Sequence, residues 1–287
     1  MSTTAETGST VKDSVQAAIV ERSGAFVRLA HDLHAHPQRA FAEEYPTARI
    51  TDVLAVEGFA VRRAVLGLPT AFVASIGNGP LHVAFGAQYD ALDDRIGHGC
   101  GHHLIAGAAV AAATGLRAVL DEVGLTVSVI GTPGQELTRL KEPPAGHLVE
   151  GRINLLEEGA FHDVHAVLMV HPGASPCREL IPIRNDPMLA GAYRRNARLL
   201  GSTRDVDTNI RDQIRGHRTL FRSRTIYRTD LGNVSHVIPS IHPMIGIGGT
   251  APKPHGGVHP TSRHRRGLPR HVGRWHRACL DRLGCGN

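Results

Sequence analysis

Several features that would place a protein quickly are missing from this 287-residue chain. No apolar run of the roughly 18 residues needed to cross a membrane is evident. Nor does the chain open with a basic patch followed by an apolar segment, so neither insertion nor export is expected and the address is read as cytoplasmic. Cysteines are few. Cys100, Cys177, Cys279 and Cys285 have no framework spacing, and only the last two are near neighbours, so all four read as free thiols. No internal repeat is found.

Net charge is +6, but it is not spread along the chain. Residues 251–287 hold one lysine and seven arginines against a single acid, Asp281, a local +7, so the preceding 250 residues sum to −1. That tail has one aromatic, Trp275, and no recognisable nucleic-acid fold, so a solvated end is favoured over a nucleic-acid surface. It also lacks hydrophobic periodicity, and is expected to be disordered or poorly packed.

The rest reads as a soluble α/β protein, with 41% apolar residues and enough length for a sizeable core. A 3.6-residue period predicts helices over 10–35 and 46–58, the first ended by His36-Pro37 and the second by Gly58. Short β-rich runs follow at 61–66, 70–76 and 81–87. An almost wholly apolar helix is expected at 104–120, a strand at 125–131, a helix at 147–158 and a strand at 164–170. Alternation of strand and helix over about 90 residues predicts a mostly parallel sheet flanked by helices. A helix at 187–200 and a strand at 241–247 are expected later, whereas 201–230 has neither period.

Chemistry concentrates in Gly97-His98-Gly99-Cys100-Gly101-His102-His103. Cys100 and His102 are potential metal ligands two residues apart on glycine-flanked backbone. They follow a strand-like run that ends at Asp90, where open α/β sheets carry ligands. Glu136 and His171 also follow strand-like runs. His34 and His36 read as cap or surface residues, and His98 and His103 as residues that shape the site.

Together GHGCGHHLIAGAAVAAA (97–113), YDAL (89–92), GTPGQE (131–136), LLEEGAFHDVHAVLMVHPG (155–173) and GNVSHVIPSIHPMIGI (232–247) resemble the M20 metallopeptidases, nearest the aminoacylase and aminobenzoyl-glutamate hydrolase branch. The resemblance implies a two-metal amide hydrolase, usually with zinc or manganese, acting on a small-molecule amide. By position Cys100, His102, Glu136 and His171 would be metal ligands and Asp90 the acid behind them. Asn233 and His236 are read as substrate-pocket residues, with a buried, hydrogen-bonded histidine an equal reading of His236.

Three departures accompany it. Registered on Gly131-Thr132-Pro133, Gln135 stands where the family has its general base, and an amide cannot accept that proton; a register shifted by one makes Glu136 the base and Leu137 the lost ligand. The family's lid and dimerisation domain is missing near 177–187, so the family-type dimer is not expected. The last ligand, a histidine in a Pro-His segment, has only His255 as a candidate. Residues 1–250 are therefore expected to form a lidless catalytic domain. Residues 251–287 read as out-of-frame text, a reading that 201–227 also admits. Two functions stand: an amidohydrolase of N-acyl or aminobenzoyl amino acids or small peptides with impaired activity, and a non-catalytic remnant that binds metal or a small acidic ligand.

Overall fold

The computed structural model describes residues 3–93, 96–136, 151–173, 186–200, 231–235 and 237–246. Of the expected lid gap near 177–187 only residues 186 and 187 are described, and the stretch 201–227 and the tail 251–287 lie outside these residues.

Helix α1 (Thr3–Ala35) buries Phe26, Leu29, Ala30 and Leu33, the three-and-four spacing of one helical stripe. Pro37 stops it just beyond the last turn. Helix α2 (Glu44–Val56) carries Pro46 in its first turn, where a missing N–H costs nothing, and turns Ile50 and Leu54 inward. Full burial of such a side chain contributes about 1.5–3 kcal/mol.

Six strands form one sheet. They are β1 (Ala60–Arg63), β2 (Phe72–Gly77), β3 (Leu81–Ala87), β4 (Leu125–Gly131), β5 (Ala166–Leu168) and β7 (Ser240–Ile241), in the order β1-β2-β4-β3-β5-β7. The ladders β4-β3, β3-β5 and β5-β7 are parallel, whereas β1-β2 and β2-β4 are antiparallel. The sheet is therefore mixed, with its parallel half built by the expected crossovers. β1 is shorter than expected because Ala64 and Leu66 adopt left-handed backbone with φ of 52° and 51°.

Alternation along the strands supplies two cores. Phe72, Ala74, Phe85, Ala87, Val127 and Val129 join α1, α2 and helix α3 (His102–Leu116) on one face. Val73, Ala84, Ile130 and Val167 meet Leu155 of helix α5 (Gly151–Glu157) on the other. Helical structure continues from α3 through a 3-10 turn to the short α4 (Leu120–Val123). Although no such run was expected, His102–Val123 is long and apolar enough to cross a membrane by length and composition alone. Its apolar side chains are packed against α1, β3 and β4.

The strand expected at 164–170 is divided. β5 ends at Leu168, and β6 (His171–Gly173) pairs with β8 (Met244–Gly246) as a separate two-stranded parallel ladder. Backbone bonds still bridge the break, Met169 N–H to the Ile241 carbonyl at 3.1 Å and His171 N–H to the Pro243 carbonyl at 3.1 Å. Pro243, in the break between β7 and β8, has no N–H to offer the ladder, whereas Pro172 lies within β6 opposite Ile245. Helices α6 (Pro187–Leu199) and α7 (Gly232–Ser235) flank this end.

Candidate metal site at the sheet edge

β3 lies between β4 and β5, so the crossovers leaving it and returning past it make a switch point at the carboxyl ends of the strands. Gln88-Tyr89-Asp90 extends β3 there, Thr132 to Glu136 extends β4, and His171 opens β6.

Cys100 Sγ, one nitrogen of His102 and one of His171 lie within 4.8 Å of one another, and all three residues are buried. Sγ of Cys100 is 3.6 Å from Nε2 of His171, and the two imidazoles meet edge to face with centroids 6.2 Å apart. Gly101 makes this approach feasible. Its φ is +86°, and a Cβ there would stand 2.5 Å from Cγ of Pro172, so a side chain would push the Cys100–His102 loop off the His171 strand.

Each imidazole is oriented from behind. Nδ1 of His102 is 2.7 Å from Oδ1 of Asp90 and 2.9 Å from the Asp90 carbonyl. Nδ1 of His171 is 2.8 Å from the Pro172 carbonyl. These partners are acceptors, so each Nδ1 carries a proton, and the Nε2 of His171 is on the side of the Cys100 thiol and that of His102 on the side of Glu136. Burial lowers the pKa of His102, but the charges of Asp90 and Cys100 and their hydrogen bonds outweigh it and raise that pKa well above the ordinary histidine value in the metal-free protein. A cation at this position is therefore favoured by its surroundings.

Glu136 approaches from the β4 turn. Its carboxylate Oε1 is 3.9 Å from Nε2 of His102, and its backbone N–H donates to Oδ2 of Asp90 at 2.7 Å. Asp90 thus binds His102 through one oxygen and the turn through the other. Gln135 faces different partners: Oε1 accepts from Nη1 of Arg152 at 2.6 Å, and Nε2 reaches the carbonyls of Thr132 and Pro133 at 3.3 Å.

The other sequence candidates are more peripheral. His98 and His103 are buried and pack with His34 in tilted ring contacts, with centroids 5.1 to 6.4 Å apart, an imidazole cluster beside the site. His34, expected at a cap or on the surface, is thus drawn inward by its place on the buried side of α1. His36 is exposed and bonds the Asp32 carbonyl at its own helix end. Asn233 falls in α7, where its side chain is not described, and His236 and His255 lie outside the described residues.

Two buried residues near the site were not singled out from sequence. His242 stands at the end of β7 with its ring 5.9 Å from that of His171; its His-Pro dipeptide repeats His171-Pro172 and was the available signal. Glu43, fully buried, gave none.

No family model matches the chain. Among curated proteins, the chain is 39% identical over 166 residues to the Xaa-Arg dipeptidase of Mus musculus, covering 53% of this chain and 35% of that protein. It is 33% identical over 167 residues to a p-aminobenzoyl-glutamate hydrolase polypeptide of Escherichia coli (strain K12), covering 52% of this chain and 32% of that protein. The chain thus spans about a third of the length of the curated relatives it matches. A dinuclear metal-binding peptidase of the M20 family from Bacillus subtilis superposes with a TM-score of 0.52 at 17% identity, over 84% of this chain and 92% of that one. Over the matched half, the chain is similar in sequence to this dipeptidase and this aminobenzoyl-glutamate hydrolase, and its fold is similar to that of an M20 peptidase.

Proposed function

We propose that the protein is a divalent-metal amidohydrolase of the M20 type, acting on N-acyl or aminobenzoyl amino acids or small peptides, with hydrolysis reduced to near background. The observation that carries it is the convergence of the buried Cys100 thiol, His102 and His171 within 4.8 Å of one another, with both imidazoles held from behind through Nδ1. A thiolate and two neutral imidazoles suit zinc, with manganese as the alternative metal. Cys100, His102, His171 and Glu136 would hold up to two ions, one tightly. Such ions polarise an amide carbonyl and lower the pKa of water at the site.

The chain's own residues do the rest. Asp90 fixes the tautomer of His102 and anchors the turn that carries Glu136. Gln135 supplies no proton acceptor, which in the preferred register leaves the attacking water without a base, a loss of about 10²–10⁴-fold. The same observation keeps the second reading alive, a protein that binds metal or a small acidic ligand without turnover. The family's dimer, nucleic acid and a membrane are not part of the proposed activity, and a cytoplasmic setting is proposed with it.

The test is zinc content after dialysis and the rate on N-acyl amino acids and aminobenzoyl-glutamate. The unmodified protein should retain at least one ion with slow hydrolysis, and Cys100→Ala with His102→Ala should lose the ion. Retention of the metal by that double variant would refute the site.

A further inference from the structure

Glu43 is completely buried and does not belong to the donor cluster. It precedes α2, yet its carboxyl does not cap that helix. Instead Oε2 accepts from the Thr70 hydroxyl at 2.8 Å and Oε1 accepts from the Gly134 N–H at 2.8 Å. The carbonyl of Thr70 in turn accepts from Thr47 and from Tyr89, each at 2.7 Å, and Tyr89 is the residue before Asp90. One carboxyl therefore ties the start of α2 and the approach to β2 to the turn after β4.

That turn is pressed from the same segment. Gly134 has φ of +70°, and a Cβ on it would lie 2.4 Å from Cζ of Phe41. Glu136, two residues on, sends its N–H to Asp90 and its carboxylate toward His102. Hence Phe41 and Glu43 hold one end of the turn and Asp90 holds the other.

We infer that Glu43 is a positioning residue for the metal site: by accepting the Gly134 N–H it sets where the β4 turn delivers the Glu136 carboxylate. This rests on the proposed metal site. Burial and the nearby Asp90 charge push the Glu43 pKa up to about 8, so at neutral pH its carboxyl is mostly protonated and an amide is a near isostere. Glu43→Gln keeps an acceptor for Gly134; Glu43→Ala removes it and leaves a buried N–H without its partner.

The experiment is a zinc-affinity cycle by competition with a chromophoric chelator, using the unmodified chain, Glu43→Ala, Glu136→Ala and the two combined. Glu43→Ala should weaken zinc by roughly 10–100-fold, the range for residues that orient ligands. Glu43→Gln should restore most of it. The combined variant should bind no worse than Glu136→Ala alone, because Glu43 acts through Glu136. Unchanged affinity in Glu43→Ala, or a combined loss equal to the product of the two single losses, would overturn the inference and leave Glu43 a stabilising residue only. If the alanine variant does not fold, Glu43→Asp serves in the same cycle, since a shorter side chain cannot reach both Thr70 and Gly134. Zinc retained by Cys100→Ala with His102→Ala would instead refute the site on which the inference rests.

Discussion

Arg152 donates from Nη1 to Oε1 of Gln135 across 2.6 Å, from a guanidinium-bearing side chain only 2% exposed. Both ends of the Gln135 amide are thereby engaged, the oxygen by Arg152 and the nitrogen by the carbonyls of Thr132 and Pro133. A carboxylate in its place would strengthen the first bond and be repelled by the two carbonyls.

Gln135→Glu is therefore expected to raise hydrolysis above background, but by less than the full ~10²–10⁴-fold of a general base. Arg152 would hold the new carboxyl's pKa down and weaken it as a proton acceptor. A paired rate assay with zinc restored to both proteins measures this. Robust turnover by the unmodified chain would show that Gln135 is not where the base is lost and would favour Glu136 as base.

Gly101→Ala should destabilise the protein by about 1–3 kcal/mol, the range for a non-glycine residue held in a sparsely populated backbone region. The added methyl also meets Pro172, so the variant should lose zinc along with stability. Urea unfolding of the metal-free protein reports the first effect and dialysis the second. A fully stable variant would contradict the packing of Cys100 against the His171 strand.

Zinc should raise the thermal midpoint of the unmodified chain and leave that of Cys100→Ala with His102→Ala unchanged. At one hundred times the dissociation constant the expected gain is about 2.7 kcal/mol. Equal shifts in both proteins would place the metal elsewhere.

The metal-free protein should also carry a pH signature of Glu43. Its folded pKa is raised above the unfolded value of 4.5 to about 8, so the native state binds the extra proton. The stabilising contribution is complete below about pH 4.5 and is lost as pH rises toward 8, at up to about 1.4 kcal/mol per pH unit. The groups acting on it are Asp90, whose charge raises its pKa, and the Thr70 and Gly134 donors, which lower it. Stability of the unmodified protein minus that of Glu43→Gln should decline across this window. A flat difference would mean that Glu43 is already ionised at low pH.

Residues that the structure gathers at the strand ends could be singled out in sequence because each follows a strand-like run: Asp90 after β3, Glu136 after β4 and His171 after β5; that they serve a metal is the proposal. Periodicity also gave α1, α2, α3 and the parallel half of the sheet. It could not give the partners of the short runs around β1 and β2, since hydrophobic pattern says which face is buried and not which edge is joined. Where one strand was expected over 241–247, Pro243 falls between β7 and β8. Glu43 was unreadable because its burial depends on Thr70, 27 residues away, and Gly134, 91 residues away.

Cys100 and His171 are 71 residues apart in the chain, and the sheet between them must close before their side chains meet. Contacts of such separation carry a loop-closure cost before they gain anything, so the donor set is a late product of folding. Metal should therefore load onto an assembled sheet, slowing the escape from the native state while leaving the rate of reaching it nearly unchanged. Stopped-flow refolding and unfolding with and without zinc would separate the two rates; faster refolding with zinc would mean that the ion gathers these residues before the strands do.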